Sequence, residues 1–162
     1  MKYTALDIAN KLITKAADYN EGELMTNMKL QKMLYYEQGY HLGAFGTPLF
    51  EEDIEAWMYG PVVPDVYRHF KEYGAASIKT PPSDPVVLDS EEESLFNNVF
   101  EAYIDFSAIG LMNKTHQEYP WKSTPQLQVI PKEKIKEYFN GQLKKEKQQS
   151  SFSILKRIFA SL

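Results

Sequence analysis

Apolar residues recur at helical spacing from the start of the chain. Ala5, Ile8, Ala9, Leu12, Ile13 and Ala16 fall on one face behind Thr4, and Thr4 with Asp7 resembles a capping box, so a first helix is expected over about residues 5–18. Thr26 caps a second helix reaching about Leu42, whose apolar arc of Leu30, Met33, Leu34, Tyr36 and Tyr40 is widened by Met28 and Tyr35. So wide an arc marks a central, largely buried helix. Gly43 and Gly46 are expected to break it. Leu49-Phe50 and residues 54–59 are rich in β-formers and predict a small β element over about residues 49–59, closed by Gly60-Pro61. Pro64 suits the first position of a third helix that presents Val66, Tyr67, Phe70 and Tyr73. Residues 74–88, with Pro81, Pro82 and Pro85, read as a long surface loop inside one domain.

Further on, Ser90 with Glu93 predicts a helix over about residues 90–106, buried through Leu95, Phe96, Val99, Phe100 and Tyr103. Ser107 opens a shorter one to about Lys114, Pro120-Trp121 makes a corner, and Pro131 begins a helix to about Leu143. Residues 144–151 are polar and read as a linker. Residues 152–162 then place Leu155, Ile158, Phe159 and Leu162 at the spacing of an amphipathic helix, with Phe152 one turn earlier. Eleven residues are too few for a helix stable in isolation, so this one is expected only when docked, on the domain's own body, on a partner or on a second copy of the chain. The fold class is mainly α: a compact helical domain over residues 1–143 with a small β element, then a basic linker and C-terminal amphipathic helix over residues 144–162.

Composition narrows the classes. A chain of 162 residues, 43% hydrophobic, makes one domain with a core that needs no staples. Having no cysteine, it has no disulfide framework, zinc ribbon, iron–sulfur cluster or thiol nucleophile, and it suits a reducing compartment. The polar opening Met1-Lys2-Tyr3-Thr4 leads into no apolar signal core, and no run approaches the about 20 apolar residues of a bilayer span. A cytoplasmic protein without a membrane partner is expected. The net charge of -4 divides into -9 over the first 131 residues and +5 from Lys132 onward. So acidic a body repels a phosphate backbone, which leaves only the tail to touch nucleic acid; the same lysines equally solvate a terminal helix.

The common catalytic patterns are missing: neither GxGxxG, GxxxxGK[ST] nor GxSxG occurs. His41, His69 and His116 are far apart and none pairs at metal-ligand spacing, so neither a metal nor a cofactor is expected. Glu91-Glu92-Glu93 occupies a helix's first turn, where the dipole favours it, and Glu51-Glu52-Asp53 sits in a turn. No residue is assigned a catalytic role. A through-space hydrolase or nucleotide-handling site around His116, Lys32 and nearby carboxylates is the alternative, and a nucleic-acid binder acting through the basic tail is another. Most of the eleven tyrosines, nine phenylalanines and two tryptophans fall on inward stripes. Trp57, Tyr59 and Tyr67, around Gly60-Pro61, do not, and with Pro61 they form a candidate partner-binding face. Lys32, inside an apolar arc, is costly to bury alone and is expected to reach a carboxylate, a carbonyl or solvent. His116 and Trp121 bracket a corner that reads either as a packing staple or as a recognition pocket.

At these residues the sequence resembles a known family. Lys29-Leu30-Gln31-Lys32-Met33-Leu34-Tyr35-Tyr36 is followed by Gly39, by Pro48-Leu49-Phe50, and by Ile54-Glu55-Ala56-Trp57. Then come Tyr59-Gly60-Pro61-Val62-Val63-Pro64 with Tyr67, Thr115-His116, and Glu118-Tyr119-Pro120-Trp121. In this order, over about residues 5–140, they look like the Panacea or SocA-like antitoxin domain, which also occurs in phage-associated proteins. The resemblance implies a non-enzymatic antitoxin of a type II toxin–antitoxin pair. Its partner would be a cognate protein toxin, neutralised by direct binding or by delivery to a protease, and a homodimer is open. Many family members carry an added helix-turn-helix domain; the chain's start close to the first helix and its short tail lead us to expect none here. Lys32, Tyr36, His116 and Trp121 are motif positions whose roles the sequence leaves open.

Overall fold

The second helix, α2 (Asn27–Phe45), has sixteen of its nineteen residues buried, leaving almost no side for water. The computed structural model describes residues 3–19, 25–81 and 83–148. Around α2 pack α1 (Ala5–Asp18), α3 (Pro64–His69), α4 (Ser90–Tyr103), α5 (Ala108–His116), α7 (Lys132–Gln148) and a two-stranded sheet. The described residues are thus mainly helical with one small β element, as the sequence pattern predicts.

A helix buried on every side must find partners for its polar side chains, because an unpaired buried polar group is costly. On α2 five of these side chains reach backbone outside the helix. Gln38 accepts from the Leu49 N–H at 2.7 Å and donates to the Phe50 carbonyl at 2.7 Å, so Leu49-Phe50 is clamped loop rather than strand. Gln31 accepts from the Val63 N–H at 2.8 Å and donates to Asn27, which itself donates to the Tyr67 carbonyl. Lys29 donates to the Ile104 carbonyl, and the His41 ring bridges the Thr47 carbonyl and the Glu92 carboxylate, both at 2.6 Å. These residue types, polar within an apolar arc, are what lets one helix organise the loops around it.

The helix starts follow local chemistry. Thr4 and Asp7 form a reciprocal capping box, Thr26 accepts from the Lys29 N–H, Ser107 accepts from the Gly110 N–H, and Pro64 stands at the first turn of α3. Several ends differ from the sequence reading. Gly43 does not break α2: it lets α7 cross closely, since a Cβ there would lie 2.8 Å from the backbone of Phe139 and Asn140. The helix ends at Gly46, whose φ of 78° supplies the left-handed cap. Asp89, not Ser90, precedes α4, which stops at Tyr103, and Glu93 bonds the Leu88 N–H. A single 3-10 turn (Lys71–Tyr73) follows α3, and one helical turn, α6 (Tyr119–Lys122), forms the Pro120-Trp121 corner. Helix α7 runs through the start of the expected linker as far as Gln148 and buries Glu146. Leu155, Ile158, Phe159 and Leu162 lie outside the described residues.

The β element also falls differently. Strand β1 (Glu55–Trp57) pairs antiparallel with β2 (Gly60–Val62), in the register Glu55↔Val62, Ala56↔Pro61 and Trp57↔Gly60. Gly60-Pro61 therefore opens a second strand instead of closing the first, with Met58-Tyr59 as the turn. Proline is tolerated because β2 is an edge strand. On the other side of β1, Ala56 donates to the Gln128 carbonyl and accepts from the Leu127 N–H, and the Ile130 N–H donates to the Ile54 carbonyl. Residues 127–130 are thereby tied to the hairpin. No helix among the described residues is long and apolar enough to cross a membrane.

Candidate functional site

Three segments far apart in sequence converge on the Lys32 side chain. α2 carries it inward, the hairpin passes over it at Gly60, and Thr115 stands beside them. Gly60 has a φ of +117°, and a Cβ there would lie 2.7 Å from Lys32 Cε and 3.0 Å from Thr115 Oγ1. Only glycine meets both demands. Lys32 is 1% exposed, and among the described residues its ammonium has neither a hydrogen-bond acceptor nor a carboxylate partner. Burial pushes its pKa down to about 7. Neither the carboxylate nor the carbonyl contact expected from the sequence is present among the described residues; Lys32 instead lines the groove that opens beside it.

His116 stacks on Trp121, ring centroids 4.0 Å apart and planes at 21°, and Trp121 Nε1 donates to the Trp57 carbonyl at 2.8 Å. The pair is thus a staple fastening the hairpin to the α5–α6 corner. Nε2 of His116 is buried without a partner. Burial lowers the imidazole's pKa, a hydrogen bond to the Met58 backbone opposes this, and the nearby Lys32 charge lowers it again.

Beside Lys32 opens a groove of about 750 Å³. Trp57, Met58, Tyr59, Val62 and Tyr67 line it from the hairpin and α3, Met28, Gln31 and Lys32 from α2, and Gln126 and Leu127 from the segment after α6. Trp57 meets Tyr67 edge to face, with centroids 5.0 Å apart. Met58, Tyr59 and Leu127 are 67%, 61% and 68% exposed. Leu127 has a φ of 66°, a left-handed conformation that costs a non-glycine residue about 1–2 kcal/mol. Its N–H bond to the Ala56 carbonyl, 2.7 Å long, helps hold it there. The lining holds two lysines, Lys32 and Lys71, and no carboxylate.

The structure thus brings Trp57, Tyr59 and Tyr67 together on one groove, while Pro61 is buried in β2 and does not line it. Tyr36 is buried as well, stacked on Tyr103 at 4.0 Å with its hydroxyl donating to Glu118 Oε2 at 3.0 Å. Tyr35 donates to Oε1 of the same carboxylate. Burial pushes the Glu118 pKa up to about 7 against the Tyr36 bond, the Lys114 charge and the Tyr35 bond. Glu118, close to His116 in sequence, therefore faces the tyrosines, and no carboxylate joins Lys32 and His116 at the groove. Sequence reasoning missed Met58, Lys71 and Leu127. Nothing in the local pattern of Leu127 signals its backbone conformation, whereas Met58 stands in the turn between two aromatic motif residues.

The segment carrying Lys32, the hairpin and the His116–Trp121 staple coincides with a family match. Residues 30–122, more than half of the chain, match the Antitoxin SocA-like, Panacea domain family, and the chain belongs to it. Among curated proteins it is similar to Antitoxin SocA of Caulobacter vibrioides (strain NA1000 / CB15N), at 43% identity over 67 residues, 41% of this chain and 35% of that protein. The match thus spans about a third of that relative's length. No solved structure matches the chain.

Proposed function

We propose that the protein is the antitoxin of a type II toxin–antitoxin pair, acting in the cytoplasm by direct, non-catalytic binding of a cognate protein toxin. The observation that carries this reading is the groove of Trp57, Met58, Tyr59, Tyr67 and Leu127, an exposed apolar surface contiguous with the family-matched segment. Aromatic side chains around a pocket are the usual anchors of protein interfaces, because they bury much area at little entropic cost. A strained backbone that holds Leu127 at the rim fits a binding surface better than a packing one.

Co-expression with the product of the adjacent gene tests the reading. The wild-type protein rescues growth while toxin levels persist in the cell, which separates occupancy from delivery to a protease. Tyr59→Ala, at an exposed position, keeps the melting temperature and weakens the purified complex by about tenfold or more, the effect of losing about 1.4 kcal/mol. Rescue and affinity both unchanged in a folded Tyr59→Ala, Leu127→Ala double variant would overturn the groove as the site.

A further inference from the structure

Lys32 is an anomaly that the packing of the domain does not explain. Six other polar or charged residues of α2, namely Asn27, Lys29, Gln31, Gln38, His41 and Tyr36, each bond a backbone group or side chain outside the helix or a neighbour that does, whereas Glu37, like Lys32, lacks a partner at Oε2 but does not line the groove. Lys32 is as buried as they are and has no partner, although a lysine has three donors to satisfy. Gly60 keeps open the space into which it extends, since any Cβ there would collide with its stem. The ammonium thus stands at the floor of the groove, partly desolvated and without a protein acceptor.

We propose that this groove receives an apolar segment of the toxin carrying an Asp or Glu, whose carboxylate docks on the Lys32 ammonium. The inference rests on the antitoxin reading and names the chemistry of its partner. Charge complementarity selects the occupant. The groove is lined by two lysines and no carboxylate, within a body whose first 131 residues carry a charge of -9. A cationic floor in the groove that Trp57 and Tyr67 also line rejects a lysine or arginine from the partner and leaves a neutral apolar insert with the charge unanswered. An insert with a carboxylate at its tip satisfies the floor and the walls together. A charge-assisted pair formed away from water is worth more than the same pair at a rim.

The proposal has a proton signature. Lys32 is partly deprotonated near neutral pH in the free protein, so docking a carboxylate fixes the charged form and takes up a proton as pH rises above about 7. Affinity then falls with pH, by up to about tenfold per unit, until the bound-state pKa is reached. The other groups that titrate or carry charge here are His116 from α5, Tyr59 from the hairpin, Tyr67 from α3 and Lys71 from the turn after it. Burial and the nearby Lys32 charge hold the His116 pKa below its ordinary 6.5.

The test is calorimetric titration of the purified adjacent-gene product into the full-length protein from pH 6 to 9. Expected are affinity that falls above pH 7, proton uptake at pH 8, and a slope above pH 7 that persists in His116→Gln. In Lys32→Met the affinity at pH 6.5 drops by about tenfold or more and the slope disappears. Lys32→Gln, which keeps a donor without the charge, repeats the loss of slope and covers any failure of Lys32→Met to fold. If Tyr59→Ala weakens binding while Lys32→Met binds like wild type with an unchanged profile, the carboxylate proposal falls and the groove stands. If neither variant changes binding, both fall.

Discussion

Glu37 lies wholly inside α2, with Oε2 buried and lacking a hydrogen-bond partner. Burial drives its pKa well above the ordinary 4.5, helped by the Glu93 charge and opposed by Lys15 and Lys11. The folded protein therefore holds a proton that the unfolded chain has already released above about pH 4.5, and stability drains away as pH rises from there. Glu37→Gln removes the need for that proton. It is expected to raise Tm at pH 7.5 by about 2–4 °C, the shift about 1 kcal/mol produces in a domain of this size, with the gain vanishing near pH 4.5. Thermal melts across that range check it. Lys32 has the opposite sign. Its folded pKa of about 7 lies below the ordinary 10.5, so wild-type stability rises as pH climbs between them. Lys32→Met should stabilise the free protein most below pH 7, and the benefit should fade toward pH 10; a benefit growing with pH would contradict the burial of an unpaired ammonium.

Among the elements, the crossing of α2 and α7 sets the tightest tolerance. At Gly43 a Cβ would meet the α7 backbone at 2.8 Å, and backbone cannot rotate away as a side chain can. Gly43→Ala is expected to cost about 1–3 kcal/mol, the range of overpacked cores. Gly141 on α7 has nothing within 4 Å of its would-be Cβ, so Gly141→Ala should stabilise by about 0.5–1 kcal/mol through helix propensity alone. Urea denaturation of the two variants gives opposite shifts in midpoint. From the sequence Gly43 reads as a helix breaker, and Gly141 simply falls inside the helix expected to about Leu143. What separates them is which helix lies across each, and periodicity carries no such information. The hairpin shows the same limit. Residues 54–59 announce a strand through their β-formers, but Gly60-Pro61 reads as punctuation. Only the pairing of Ala56 with Pro61 makes it a second strand.

For the whole molecule, stability is expected to be graded outward from α2. Its residues are buried on all sides and its polar groups tie down Leu49, Phe50, Val63, Tyr67 and Ile104. Native-state hydrogen exchange should find the amides of residues 30–42 exchanging only through global unfolding. Amides of residues 75–80, most of whose side chains are exposed or half-buried, should exchange by local opening. Fast exchange throughout α2 would show that its buried polar contacts do not act as a unit.

Much of this was legible in the residues alone. Helix starts at Thr4, Thr26, Pro64 and Ser107 depend on atoms within three or four residues, so local chemistry decides them wherever the segment lies. The wide apolar arc of α2 foretold a buried central helix, and the aromatics near Gly60-Pro61 foretold where a surface would stand open. Tertiary structure alone decided the rest. Tyr35 and Tyr36 find their carboxylate 83 and 82 residues away in Glu118, leaving it unavailable to Lys32. Leu127 is turned left-handed by the strand it lies along, and Lys32 is left without a partner beneath Gly60. Periodicity shows that a side chain points inward, but what it meets there depends on which distant segments the topology brings to the same few ångströms.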